Sequence, residues 1–133
     1  MTRAELQTLA NLRIAEARRL MRALAIPDGA YYLAGYAVEC NLKACIASLV
    51  LAETFPDKQF AQDCYTHAIE PLLKASGLKD QRDADVAANP DLKANWSVVK
   101  DWTVESRYER HTEADARAMI EAVTHAKNGV PLG

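Results

Sequence analysis

Side chains that can handle a phosphate group are concentrated near residue 110. Arg107, Tyr108, Arg110 and His111 lie within five residues of one another, directly before a helix-capping pattern that begins at Thr112. Guanidinium groups bind phosphate oxygens through paired N–H donors, and a helix N-terminus favours an anion. An imidazole beside them is suited to general acid–base work on a ribose hydroxyl or a leaving oxygen. The cluster therefore indicates a phosphate site, and a phosphodiester-cleaving site as the more demanding alternative.

The same segment also has a purely structural interpretation. Glu105 and Glu109 dilute its positive charge. Arg107 would then serve as a bridge to a buried carboxylate and fix how two helices pack, in a polar loop without a ligand. Both interpretations stay open at the level of the sequence.

A polar stripe crosses the most apolar segment of the chain. At 100° per residue, Tyr32, Tyr36, Glu39 and Lys43 share one helical face. A carboxylate in such surroundings needs a partner, because its desolvation is costly. We expect Glu39 to pair with Lys43 or with Arg107, and to orient a polar pocket. Tyr32 is a candidate for stacking on a base, although tyrosines at this spacing are also typical of a core or a dimer interface.

The cysteines predict no disulfide framework and no metal site. Cys40, Cys45 and Cys64 are odd in number, and Cys64 with His67 forms only half of a zinc-binding pattern, since no second pair follows. We therefore predict no metal and no cofactor. With no visible signal peptide and no apolar run of about 18 residues, we expect a cytoplasmic protein that does not bind membranes.

The net charge of the chain argues against one class of nucleic-acid-binding protein. The 133 residues carry 16 Lys+Arg against 18 Asp+Glu, a net charge of −2, so the chain lacks the basic excess of a dedicated duplex-binding domain. The one basic cluster, Arg18, Arg19 and Arg22, is typical of a solvated helix face. Arg13 approaches the apolar stripe of that helix, and we expect it to find a carboxylate partner.

The pattern of apolar residues predicts an all-α fold. Half of the residues are hydrophobic, and Ala and Leu outnumber the β-branched types. We expect one domain over residues 1–133, an up-and-down bundle of four to five helices with a long central second helix. The predicted helices cover residues 3–25, 28–54, 66–74, 90–102 and 112–126, with a short, partly exposed helix at 79–88 and a polar connection at 57–63. We expect capping boxes at Thr2 with Glu5 and at Thr112 with Asp115, and helix caps at Asp28 and Thr66.

Three segments in this order resemble a known family. Residues 32–44, YLAGYAVECNLKA, closely resemble the second-helix signature of HEPN domains, the small helical domains found in higher eukaryotes and prokaryotes. Residues 66–73 lie where such domains carry a His-Asp-Leu-like helix start. Trp102, followed by Ser106-Arg107-Tyr108, is similar to the Trp…Arg-Tyr element before the last helix.

The resemblance implies a helical bundle that is often a homodimer. Prokaryotic members are frequently encoded beside a minimal nucleotidyltransferase, and they form toxin–antitoxin-like or accessory pairs. Many are metal-independent ribonucleases with an Arg-x(4–6)-His motif, whereas others bind nucleotides or RNA. Here three residues separate Arg107 from His111.

The spacing of three residues is one shorter than the ribonuclease motif allows, and the expected function follows from this difference. We expect a nucleotide- or RNA-associated module whose binding residues are Lys43, Arg107, Tyr108, Arg110 and Tyr32, with single-stranded RNA as one class of ligand. The alternative is a ribonuclease that uses Arg107, His111 and Glu39. A helical bundle that serves only protein interaction is the third hypothesis.

Overall fold

The computed structural model describes residues 1–125, and all regular secondary structure in that range is helical, as predicted. A π-helical turn over Leu20–Leu24 extends the first helix, and a 3-10 segment over Val104–Tyr108 precedes the last. The α-helices are α1 Arg3–Arg19, α2 Pro27–Leu49, α3 Lys58–Cys64, α4 Ile69–Ala75, α5 Lys79–Ala88, α6 Pro90–Lys100 and α7 Glu113–Thr124. The predicted end of the last helix near Ala126 lies outside the described residues.

Helix α1 begins and ends much as the sequence predicts. The Thr2 hydroxyl accepts a hydrogen bond from Glu5 N at 3.1 Å, and the Glu5 carboxylate accepts one from Thr2 N at 2.8 Å, which completes a capping box. The helical turns stop at Ala25, which adopts a left-handed conformation with φ 49°. Arg13 finds its expected carboxylate within the same helix, in an ion pair with Glu16.

Helix α2 is the central element, as expected, and α1, α4, α7 and the 3-10 segment all pack against it. The prediction that Asp28 caps this helix is wrong. Pro27 occupies the first helical position, where its fixed φ suits the helix, and Asp28 therefore lies inside the first turn. The helix also ends at Leu49 rather than near residue 54. Val50 and Leu51 remain exposed, so no neighbour supplies the burial that would extend it.

The segment predicted as a polar connection contains α3. Asp57 caps this helix, since its side chain accepts from the backbone N–H groups of Gln59 and Phe60. No residue of α3 is fully buried, which explains why its apolar periodicity is too weak to read. Thr66 also does not cap the next helix: its hydroxyl accepts from Ala68 N, and α4 begins at Ile69.

Helices α5 and α6 lie where the sequence predicts them, and α7 begins at its predicted capping residue. Asn89 caps α6 with Pro90 at its first position, and Thr112 with Asp115 forms the capping box of α7. Helix α6 ends at Lys100, two residues before Trp102, which is nevertheless almost fully buried.

An arginine fork joins α4 to α5. Arg82 donates two hydrogen bonds to the Glu70 carboxylate, at 2.7 and 2.8 Å, and a third to Asp83 at 2.8 Å. This fork lowers the pKa of Glu70 below its ordinary value of 4.5. Because the folded pKa is depressed, the resulting stability is present above pH 4.5 and is lost as the pH falls through the lower, folded value.

We therefore expect Arg82→Met to lower the free energy of unfolding at pH 7 and to matter less in acid. Chemical denaturation at pH 7, 5, 4 and 3 would follow the difference between wild type and variant, which should shrink below pH 4.5. Lys79→Met removes a more exposed ion pair with Asp83 and serves as the control, with little effect expected. A difference that stays constant across the series would contradict the prediction.

Candidate functional site

The carboxylate of Glu39 lies at the centre of a three-residue cluster. Its side chain is 1% exposed, and its Oε1 lies 3.0 Å from Lys43 Nζ and 2.5 Å from His67 Nδ1. The pair with Lys43 confirms one of the two predicted partners. The predicted bridge to Arg107 is wrong, because the chain before α4 crosses α2 here and brings His67 to the carboxylate instead.

His67 is the residue that sequence reasoning missed. Its Nδ1 is held by a buried carboxylate, whereas the side chain is 58% exposed. A carboxylate on Nδ1 selects one tautomer and leaves Nε2 as the atom that can exchange a proton with a ligand. The Thr-His sequence alone indicates no more than a helix start, and only the packing of α4 on α2 reveals the contact.

The 3-10 segment presents Arg107 and Tyr108 to solvent. Ser106 is buried and anchors the segment, while Tyr108 is 78% exposed. The Arg107 guanidinium lies 4.9 Å from the centre of the Tyr108 ring. The phenols of Tyr108 and, to a lesser extent, Tyr32 raise the pKa of Arg107, so its charge is secure. In residues 1–125, Arg107 forms no ion pair with a carboxylate.

Arg110 and His111 are engaged at the start of α2. Arg110 Nε lies 2.7 Å from one oxygen of Asp28, and His111 N donates to the other at 2.5 Å. The His111 backbone and then Arg110 lower the pKa of Asp28. The His111 ring stacks on Tyr31 with centroids 3.9 Å apart, and its Nε2 lies 3.3 Å from Ser106 O. The imidazole is thus a packing element between the 3-10 segment and α2.

Two half-buried tyrosines connect the ends of the stripe on α2. The rings of Tyr32 and Tyr36 are stacked with centroids 6.0 Å apart. Trp102 packs against Tyr32: its ring centre lies 5.8 Å from that of Tyr32, and its Nε1 donates to Tyr32 O at 3.2 Å. From Tyr32 to Lys43 the helix rises about 16 Å.

We call this surface the α2 strip. It consists of Arg107, Tyr108, Tyr32, Tyr36, Lys43 and His67. Cationic side chains stand at its two ends and aromatic rings between them. Of the predicted site residues, the structure brings Arg107, Tyr108 and Tyr32 together, places Lys43 with Glu39 at the other end, and directs Arg110 and His111 to Asp28.

The remaining chemical groups offer little further reactivity. Among residues 1–125, no group of three or more His, Cys, Asp or Glu side chains is arranged to hold a metal ion. Burial, and secondarily Glu39, raises the pKa of the Cys40 thiol to about 11. Over the same residues, no helix has the length and apolar character needed to span a membrane.

No family model matches the chain, and no curated protein or solved structure was found to be similar to it.

Proposed function

We propose that this protein is a nucleotide- or RNA-associated binding module and that the α2 strip is its binding surface. The observation that carries the proposal is the state of Arg107. This guanidinium is exposed, has no carboxylate partner within residues 1–125, and lies beside the exposed ring of Tyr108.

Both halves of a nucleotide find a matching group on the strip. A free guanidinium binds phosphate oxygens through two N–H donors. Tyrosine rings stack on bases without regard to sequence, and each stacked base contributes roughly 1–3 kcal/mol. Tyr108 and Tyr32 flank Arg107, and Lys43 offers a second cation farther along α2. A single-stranded chain that lies along α2 would meet these groups in turn.

The resemblance to HEPN domains supports a wider role. It favours a cytoplasmic homodimer that works beside a minimal nucleotidyltransferase, in a toxin–antitoxin-like or accessory pair. Under that proposal the α2 strip holds the nucleotide or RNA while the partner supplies nucleotidyl transfer.

A metal-independent ribonuclease is the second candidate. The observation that favours it is the Glu39–His67 pair, which holds an exposed imidazole in one tautomer. The Arg107–His111 version of this proposal is less well supported, because the His111 ring packs on Tyr31.

The binding proposal predicts that Arg107→Ala lowers the affinity for single-stranded RNA about tenfold or more. The reason is that hydrogen bonds to charged groups contribute about 1.5–3 kcal/mol. Fluorescence anisotropy with a labelled RNA in EDTA would measure the affinity. Arg18→Ala, which removes one exposed charge from α1, is the matched control and should change affinity little.

If both variants lost the same amount of RNA affinity, the binding would be general charge attraction. That result would overturn the assignment of the α2 strip as the binding surface. The same samples run on a denaturing gel test the second candidate. Cleavage in EDTA that His67→Ala abolishes would establish the ribonuclease, whereas abolition by His111→Ala alone would restore the version based on Arg107 and His111.

A further inference from the structure

A contiguous apolar face lies at the C-terminal end of α2, around a groove of about 630 Å³. This end of α2, the connection that follows it, α3 and the start of α1 form the groove. Five large apolar side chains that line it are exposed by half or more: Leu49, Val50, Leu51, Phe55 and Tyr65. The ring of Phe55 is 92% exposed, so nothing in residues 1–125 covers it. Single soluble domains rarely expose an apolar face of more than a few hundred Å² unless a partner covers it.

The area of this face suits an interface between two proteins. Phe55 and Tyr65 each offer roughly 150–250 Å² of aromatic surface. The three exposed aliphatic side chains add roughly 200 Å². A standard interface takes about 800 Å² from each partner, and the exposed side chains supply most of that area. The half-buried groove walls at Leu6 and Phe60 add to it.

The charged groups that line the groove are paired within the chain. Lys43 Nζ lies 3.0 Å from Glu39 Oε1. The Asp57 carboxylate accepts from the backbone N–H groups of Gln59 and Phe60. The groove therefore offers little to a strongly acidic or strongly basic partner, and two copies of it would not repel each other.

Two side chains of opposite charge flank the exposed apolar residues. Glu53 lies in the connection after α2 and Lys58 begins α3, and both are exposed. Neither forms an ion pair within residues 1–125. A two-fold axis through the face would set Glu53 of each copy against Lys58 of the other, because an isologous contact repeats every pair. The face thus combines an apolar centre with charges that complement those of a second copy.

We propose that a second copy of the chain occupies this face, and that Leu51 and Phe55 of each protomer pack into the groove of the other about a two-fold axis. The proposal rests on the homodimer of the proposed function and deepens it by naming the face that pairs. Lys43 is the one residue of the α2 strip that lines the groove. The interface therefore leaves the aromatic part of the strip open to a ligand.

Sedimentation equilibrium of the wild-type protein and of Leu51→Glu tests the face. We expect a wild-type dimer at micromolar concentrations and a monomeric variant, because the dimer would bury an unpaired carboxylate in an apolar contact. Leu51 is 69% exposed in the protomer, so the variant should keep its fold, which circular dichroism would show. Leu24→Glu is the matched control. Its side chain is 62% exposed just before α2, outside the groove, and the variant should stay dimeric.

The two flanking charges give a test that only a contact between copies can pass. Glu53→Lys and Lys58→Glu should each weaken the dimer about tenfold, since each variant replaces two attractions by two repulsions. An equimolar mixture of the two variants should associate as tightly as the wild type, because each copy then meets the opposite charge. A mixture that stays as weak as its components would overturn the two-fold arrangement.

The other outcomes separate this proposal from those above. A wild-type monomer would overturn both the face and the homodimer. A dimer that survives Leu51→Glu, or that Leu24→Glu also dissociates, would keep the homodimer and overturn the face. Assemblies that grow beyond two copies would indicate a head-to-tail contact and would also overturn it. Arg107→Ala should leave the dimer intact, so this proposal and the RNA-binding proposal fail separately.

Discussion

Gly35→Ala is expected to lower the free energy of unfolding by about 3 kcal/mol and the melting temperature by about 10 °C. A Cβ at this position would lie 2.1 Å from Trp102 Cδ1 and 2.3 Å from its Cγ and Nε1. Trp102 is 1% exposed and cannot swing into solvent, and its indole also donates to Tyr32 O. Either α2 or the segment after α6 must shift, and thermal unfolding followed by circular dichroism would measure the cost.

Gly29→Ala is the matched control within the same helix. Its Cβ would meet only Leu20 Cδ1, at 3.2 Å, which is the mobile end of a side chain. Because Ala is the better helix former, we expect this variant to be neutral or slightly stabilised. Equal destabilisation by both substitutions would mean that the contact with Trp102 is not what requires a glycine at position 35.

Lys43→Met is expected to destabilise the protein by about 2 kcal/mol, whereas Glu39→Met should cost less than half as much. The asymmetry follows from burial. Without Lys43, the fully buried Glu39 carboxylate keeps only His67, and its Oε2 already has no hydrogen-bond partner within the described residues. Without Glu39, the side chains of Lys43 and His67 remain partly exposed to water, and methionine fills the vacated space.

Denaturation in urea at pH 7 would measure both variants and the double substitution. The double variant should resemble Glu39→Met alone, because the penalty of Lys43→Met depends on the buried carboxylate. Lys93→Met, on the exposed face of α6, removes a lysine charge without this consequence and is expected to have little effect. A larger loss from Glu39→Met than from Lys43→Met would indicate that the cluster stabilises the fold despite the cost of desolvation.

The sequence predicts those parts of the fold that depend on local rules. The start of α1 and of α7 follows from Thr–Glu and Thr–Asp capping pairs, and the central place of α2 follows from its long apolar segment crossed by a single polar stripe. The Glu39–Lys43 pair was predictable for the same reason, because a spacing of four residues is set by helix geometry. Helix α3 was not predicted, because it buries none of its residues fully and therefore shows no clear apolar pattern. Its capping residue Asp57 was the one local signal for a helix here.

The candidate site depends on contacts between distant segments, which no local spacing encodes. The prediction chose Arg107 as the distant partner of Glu39, and the structure places His67 there. His67 follows Glu39 by 28 positions in the chain, and α3 with its flanking turns determines where the chain returns to α2. The sequence likewise grouped Arg110 and His111 with Arg107. Both turn instead to Asp28, whose carboxylate is free for them because Pro27, not Asp28, begins α2.

The buried thiol of Cys40 gives the central helix its own reporter of opening. Alkylating reagents attack the thiolate, and this cysteine is 2% exposed with a pKa near 11. In the closed bundle it is therefore almost inert at neutral pH, whereas Cys45 and Cys64 are partly accessible. The rate at which Cys40 is alkylated then measures how often α2 separates from its neighbours. Because Cys40 is a native residue, this measurement needs no engineered label.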